Sequence, residues 1–343
     1  MTFELISESD LELIDALQIN PRASWRDIGA AIGVSALTAG RRWSGLRNAG
    51  LAWTNSTAGP ELSRGMILEL ACPPGMTDQV VRELVSIPDV MTVGHLTGEY
   101  NIYAITVAAS ARAMTNFQLQ VINALPVLRL RTHLYHHAYG GSRRWRLHVL
   151  NESQASRLWE ASPPASPWSP VSSADRKLYL ALGENARRPL AELADELDLT
   201  PQAVGRQLKR AQRRGTIDFR ADVARPYAGW HLGAFLWIAT SLEDLPGASV
   251  SLGRLPETRF CATTSGTARN ILLIVSLHAP EDVDSLIRRV EADDTSMRVV
   301  DCQFALRIEK VDGRLLDGEG RSVGCVPVDP WASEVPSEGT PVK

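Results

Sequence analysis

Apolar residues recur at helical spacing in three short runs along the first fifty positions. Leu11, Ile14 and Leu17 share one face and stop near Asn20-Pro21, where the proline disfavours helix at the residue before it. Ser24 opens a second run, SWRDIGAAIGV, as a candidate N-cap, with Ile28, Ala31 and Ile32 directed inward. A third runs from Ser35 to Asn48 with Leu37, Leu46, Arg41, Arg42 and Arg47, and stops at Gly50, a residue suited to a helix C-terminus. The pattern returns at a constant offset of 165 residues. Asp10 falls on Asp175, Leu13 on Leu178, Asn20 on Asn185, Arg22 on Arg187, Ile28 on Leu193, Ser35 on Thr200, Arg41 on Arg206 and Gly50 on Gly215, so the chain contains an internal duplication.

In the second copy the third run is TPQAVGRQLKRAQRRG, from Thr200 to Gly215. Pro201 stands at the first helical turn, and Val204, Leu208 and Ala211 point inward. Gln202, Arg206, Lys209, Arg210, Arg213 and Arg214 are left outward, giving a helix with a basic face. The preceding run, PLAELADELDL, repeats Leu190, Leu193, Ala194 and Leu197 at helical spacing, and the pair reads as a helix-turn-helix.

After each set of helices the period shortens to that of strands. MILELAC, VMTVGHL, YNIYAITV and VLRLRTHLYHH read as strands, with TDQVVRELVSI and ARAMTNFQLQVINAL as intervening helices. GAFLWIATS, RFCATT, NILLIVSLH and MRVVDCQFALRIE repeat the strands, with EDVDSLIRRVEA and a weaker, glycine-broken EDLPGASVSLGRL as helices. This βαββαβ order is ferredoxin-like. The expected fold class is α+β, with winged or tri-helical helix-turn-helix domains at 7–55 and 174–222 alternating with ferredoxin-like domains at 64–149 and 228–317. Residues 150–173, containing SPPASPWSP, are expected to form an extended linker, and 318–343 a disordered tail.

A net charge of −3 and a pI near 6.2 mean that any nucleic-acid contact must come from local patches. Cys72, Cys261, Cys302 and Cys325 show no CxxC spacing, which argues against a zinc ribbon or a disulfide framework. No apolar run approaches the roughly 20 residues of a membrane span and MTFELISESD has no signal character, so a cytoplasmic, nucleoid-associated protein without membrane partners is expected.

The LxLIxAL…PRASWRDIGAAIGVS…R…L…G pattern at Leu11 to Gly50, its copy at Leu178 to Gly215, the hairpin Thr97-Gly98-Glu99-Tyr100-Asn101 and the closing ALRIEKVDGRLLDGEGR resemble the leucine-responsive regulator/asparagine-operon regulator (Lrp/AsnC) family. The resemblance covers nearly the whole chain apart from linker and tail, and implies two regulator units fused in one polypeptide. It implies a sequence-specific DNA-binding transcriptional regulator whose partners are double-stranded DNA, an effector such as an amino acid or related metabolite, and further copies of the chain through the α+β domains. The two halves can form a pseudo-dimer within a chain, or like halves can pair between chains.

For DNA, groove contacts are expected from Gln202, Ala203 and Arg206, with Thr200, Lys209, Arg210, Arg213 and Arg214 nearer the phosphates; the first copy offers Ser35, Ala36, Thr38, Arg41 and Arg42. In the resembled family effectors lie near the hairpin between adjacent modules, which implies Thr97, Gly98, Tyr100 and Asn101, and in the second copy Ser265, Gly266, Arg269 and Asn270. The family hairpin commonly reads Gly-Asp-Tyr-Asp, and both copies here lack the second aspartate, so recognition of an ordinary free amino acid does not simply carry over. Gly40 and Gly45, each costing up to about 1 kcal/mol inside a helix, make the second copy the expected principal DNA reader.

No nucleophile–base or carboxylate pairing stands out, so no enzyme activity, catalytic residue or cofactor is expected. His133 and His137 share one strand face while His136 takes the other, which argues against a metal site. Trp25, Trp43 and Trp53 read as core or module-interface residues. The alternatives are an enzyme resembling sirohaem decarboxylases of the same build, with His95, His133, Arg131 and Tyr135 facing a propionate-rich ligand, and a metabolite-binding protein with degenerate DNA helices.

Overall fold

Side-chain caps start the helices where the serines and threonines sit. In the computed structural model, α1 (Glu8–Ile19), α2 (Trp25–Ile32) and α3 (Ala36–Asn48) begin on Ser7, Ser24 and Ser35, whose hydroxyls accept from the amides of Asp10, Asp27 and Thr38. The structure describes residues 5–59, 64–141, 145–159, 171–266, 268–293 and 296–334. A strand β1 (Ala52–Ala58) follows. The first α+β module comprises β2 (Gly65–Ala71), α4 (Thr77–Ser86), β3 (Val90–Leu96), β4 (Ile102–Thr106), α5 (Ala111–Asn116) and β5 (Arg129–Gly141). Beyond it lie α6 (Glu152–Leu158) and the second helical set, α7 (Ser173–Ala181), α8 (Leu190–Leu197) and α9 (Pro201–Arg213), then β6 (Ile217–Val223). The second α+β module is β7 (Leu232–Ala239), α10 (Leu245–Leu252), β8 (Thr258–Thr264), β9 (Ile271–Leu277), α11 (Asp282–Asp293) and β10 (Arg298–Val311), extended by β11 (Arg314–Leu316) and β12 (Ser322–Cys325).

The copies pair with each other inside the chain. β1 runs antiparallel to β6, and its register sets Asn55 opposite Arg220, which are themselves equivalent at the 165-residue offset. A local two-fold axis therefore passes between them. The α+β modules join at both edges: β5 pairs with β8 and β10 with β3, while β10 also pairs with β7 of its own module. Eight strands, from β10 through β3, β4, β2, β5, β8, β9 and β7, close into a barrel. The inward-facing residues Ile67, Tyr103, Tyr135, Phe235, Trp237, Leu272 and Ile274 fill it. The outward faces pack against the helices in two further cores, built around Leu68, Val80, Leu84 and Phe117 and around Leu236, Leu273, Leu286 and Val290.

Three expectations change. The linker carries a helix: α6 starts on a capping box of Asn151 and Gln154, buries Leu158 against the first helical set, and places the Arg157 guanidinium 3.2 Å from Ala30 O. Its SPPASPWSP run lies outside the described residues. The tail is structured to residue 334, because Trp331 lies edge-on to Tyr179 and only 6% exposed, and Asp329 pairs with Arg176 at 2.8 Å. Asp329 N also donates to Pro88 O and Ala109 N to Pro330 O, which ties the second helical set to the first α+β module. Residues 335–343 lie outside the described residues. Finally, Gly40 has an equivalent, Gly205, and each faces the first residue of the preceding helix: a Cβ would lie 3.6 Å from Trp25 and 3.4 Å from Leu190. The glycine difference between α3 and α9 reduces to Gly45 against Arg210.

Trp331→Ala is expected to lower unfolding free energy by about 3 kcal/mol, measured by urea denaturation; an unchanged midpoint would mean that the tail does not dock.

Candidate functional site

The basic helix α9 is held by Val204, Leu208 and Ala211, all buried, and capped by Thr200, whose hydroxyl accepts from Ala203 N at 3.2 Å. Gln202, Arg206, Lys209, Arg210, Arg213 and Arg214 are exposed, as the spacing predicts, while Ala203 is half-buried. Arg210 and Arg214 lie 3.9 and 4.0 Å from the buried carboxylate of Asp175, which also accepts from Gln207 at 3.2 Å. That carboxylate offsets part of their charge and leaves Arg206, Lys209 and Arg213 as the freer basic edge. On α3, Ser35 accepts from Thr38 N at 3.0 Å; Ala36 and Arg41 are exposed, Thr38 and Arg42 half-buried. Leu37 is 83% exposed at the position equivalent to Gln202. It was not among the expected readers, although the offset points to it. Trp43 and Trp53 are buried, and Trp25 lies beneath the Arg187 guanidinium, 3.9 Å from ring centre to Cζ.

At the barrel's edge the β3–β4 hairpin reaches the other copy: Thr97 N donates to Phe304 O and Phe304 N to Thr97 Oγ1, each at 3.0 Å. Gly98 takes φ +97°, a conformation that disfavours other residues. Thr97, Gly98 and Tyr100 line a cavity of about 410 Å³ with Arg269. Glu99, Arg131, Asp301, Cys302 and Gln303 complete it. Four of the eight expected effector residues are thus brought together. Asn101 and Asn270 do other work: their Oδ1 atoms accept from the equivalent amides Cys72 N and Thr240 N, at 2.9 and 3.1 Å, fastening each hairpin to the end of its module's first strand. Ser265 N donates to Leu134 O and Gly266 takes φ +149°, but neither lines this cavity.

Behind the cavity, inside the barrel, the fully buried Glu69 carboxylate lies 3.0 Å from His133 Nε2, 3.4 Å from Arg131, 3.9 Å from Arg269 and 3.4 Å from Trp237 Nε1. Arg131 stacks over Tyr100 at 4.6 Å and Arg269 over Trp237 at 5.2 Å. Burial alone would raise the Glu69 pKa, but the hydrogen bond from His133 and the charges of Arg269, His133 and Arg131 outweigh it and hold the group below its ordinary value. The four residues set aside for a tetrapyrrole separate: Arg131 and His133 meet at Glu69, His95 bonds Glu309 at 3.0 Å, and the buried Tyr135 hydroxyl donates to Thr106 O. The His137 and Tyr139 rings lie 4.3 Å apart between centres, tilted by 54°.

Three family models match this chain: an AsnC-type helix-turn-helix domain over residues 6–47, a winged helix-turn-helix DNA-binding domain over 172–218, and an Lrp/AsnC ligand binding domain over 66–144. The chain thus carries an AsnC-type helix-turn-helix followed by an Lrp/AsnC ligand-binding domain, and its structure repeats the helical and α+β pair. Among its relatives is the HTH-type transcriptional regulator Rv2324 of Mycobacterium tuberculosis, 28% identical over 123 residues, which are 34% of this chain and 80% of that protein. Regulatory protein AsnC of Escherichia coli K12 is 31% identical over 98 residues, 28% of this chain; the match spans 64% of AsnC's own length, just under two thirds. The crystal structure of the siroheme decarboxylase NirDL superposes over 92% of this chain and 96% of its own, with a TM-score of 0.59 and 10% identity, a likeness of fold. No helix among the described residues is long and apolar enough to cross a membrane.

A carboxylate with a lowered pKa stabilises the fold above the unfolded value of about 4.3 and loses that contribution as pH falls through its folded value. Glu69→Gln is therefore expected to flatten the loss of stability below about pH 4.3, followed by urea midpoints against pH; an acid limb as steep as in the wild type would remove Glu69 as its source.

Proposed function

We propose that the protein is a sequence-specific DNA-binding transcriptional regulator in which one chain supplies both halves of a paired reader. The observation that carries this is the two-fold relation of α3 and α9: equivalent exposed helices, on helical sets joined strand to strand through β1 and β6. In this reading Gln202 and Arg206 meet base edges, Lys209 and Arg213 meet phosphates, and Leu37 in the first copy meets thymine methyl groups. The half-sites then differ in sequence, and the second is read chiefly by α9.

The barrel-edge cavity supports effector control. Its two guanidiniums suit a carboxylate, Asp301 suits an ammonium group, and its walls come from both copies, so a ligand there bears on how the copies sit. An amino acid or a related zwitterion has that chemistry. A second reading, in which the cavity accepts a tetrapyrrole, draws on the fold likeness to NirDL, which has also been crystallised with an iron-uroporphyrin III analogue. Arg131 and His133 favour it, and the separation of His95 and Tyr135 weakens it.

In gel shifts on DNA selected from random sequence by the wild type, Arg206→Ala should weaken binding by about 1–3 kcal/mol and relax one base position. Loss of affinity with an unchanged preferred sequence would assign Arg206 to phosphate, and no binding by folded wild type at low salt would refute the DNA reading. In thermal-shift screens, amino acids should raise the melting temperature of the wild type but not of Arg269→Ala. A response to iron uroporphyrin III alone would support the tetrapyrrole reading instead.

A further inference from the structure

Arg22 lies in the turn between α1 and α2, and its equivalent, Arg187, in the turn between α7 and α8. Each crosses the local two-fold axis. Arg187 donates to Pro21 O at 2.7 Å and Ala23 O at 2.9 Å. Arg22 donates to Ala186 O and, at 3.4 Å, to Arg188 O. The four acceptors are related by the same offset as the two donors, so the exchange is reciprocal. Asn20 and Asn185 shape the two turns, each accepting from the amide of the arginine two residues on, at 3.1 and 2.9 Å.

These contacts lead to the reading helices. Arg187 packs on Trp25 at 3.9 Å, Trp25 starts α2, and α3 rests on it through Gly40. On the other side, the carbonyls gripped by Arg22 lie just before the start of α8, whose Leu190 meets Gly205 of α9. The β1–β6 ribbon also joins the helical sets, with β1 fastened to the second set by Ser56 N on Leu182 O and Ala186 N on Thr54 O. The arginine pair adds a direct turn-to-turn link, which constrains the angle between the two sets beyond what the ribbon fixes. The chemistry is an expensive way to gain stability alone: both guanidiniums are desolvated, with carbonyls as acceptors, and Arg187 is lowered to about 10 by burial and by the Arg22 charge.

We propose that Arg22 and Arg187 are positioning residues that fix the separation and angle of α3 and α9, and so set the half-site spacing the protein accepts. This rests on the DNA-reading function proposed above. Two double variants test it: Arg22→Ala with Arg187→Ala, and Arg22→Lys with Arg187→Lys, the second keeping the charge while losing the fork that holds two carbonyls. Each is assayed on DNA carrying the selected half-sites at separations stepped around one helical turn, about 10 base pairs. The wild type should prefer one separation by about tenfold or more, and both variants should flatten that preference to about twofold while keeping single half-site affinity. In parallel, spin labels on non-cysteine side chains at the equivalent exposed positions 41 and 206 report the distance distribution in the free protein, narrow in the wild type and broadened in the variants. Folded variants with wild-type width and wild-type spacing preference would overturn the proposal. If the wild type binds no DNA, the reading function fails and the spin-label widths still decide the clamp, an unchanged width overturning it.

Discussion

An unpaired strand edge is a row of unsatisfied donors and acceptors, and in this chain each copy's sheet edges are satisfied by the other copy. β5 and β3 border the first α+β sheet, β8 and β10 the second, and the pairings β5–β8 and β10–β3 close all four. The rest of the architecture depends on that closure. It creates the inner core around Trp237, Phe235 and Tyr103, brings the β3–β4 hairpin against β10, and delivers the helical sets close enough for β1 and β6 to pair.

Closure also explains why the charged groups lie where they do. Glu69 sits inside the barrel because Arg131 and His133 from β5 and Arg269 from the opposite hairpin surround it. A second buried network joins β6 to the second α+β module: Asp222 on β6 lies 2.5 Å from Arg220 and 3.0 Å from Arg259 of β8, and Arg220 also pairs with Asp312 after β10. Burial would raise the Asp222 pKa, but Arg220 and Arg259 hold it down at about 2. Breaking such a pair strands a buried charge, at a cost of about 3–5 kcal/mol. The network thereby fastens the β1–β6 ribbon to β8 and to the turn after β10.

Much of this was legible in the residues, and the exceptions have physical reasons. The helical periods and the constant offset reveal both helical sets, because amphipathic helices leave a local record. β1 left none: Thr54, Asn55 and Ser56 are buried and polar, with Asn55 donating to Asp312 O and Ser56 to Tyr179 O, so the alternation that marks a strand is absent. The docked tail and α6 each hang on one large apolar residue, Trp331 and Leu158, inside stretches whose composition reads as disorder. In the cavity, the hairpin residues announce themselves through Gly98. Asp301 and Gln303 join them only because the barrel closes, and no spacing in the chain records that.

The claim that the copies pair within one chain is tested most directly across β1 and β6. Thr57 and Asp218 are register partners there, so Thr57→Cys with Asp218→Cys should oxidise to a disulfide identifiable by peptide mapping. The account expects that cross-link in protein of single-chain mass at every protein concentration; the 57–218 link found in double-mass species, growing with concentration, would contradict it.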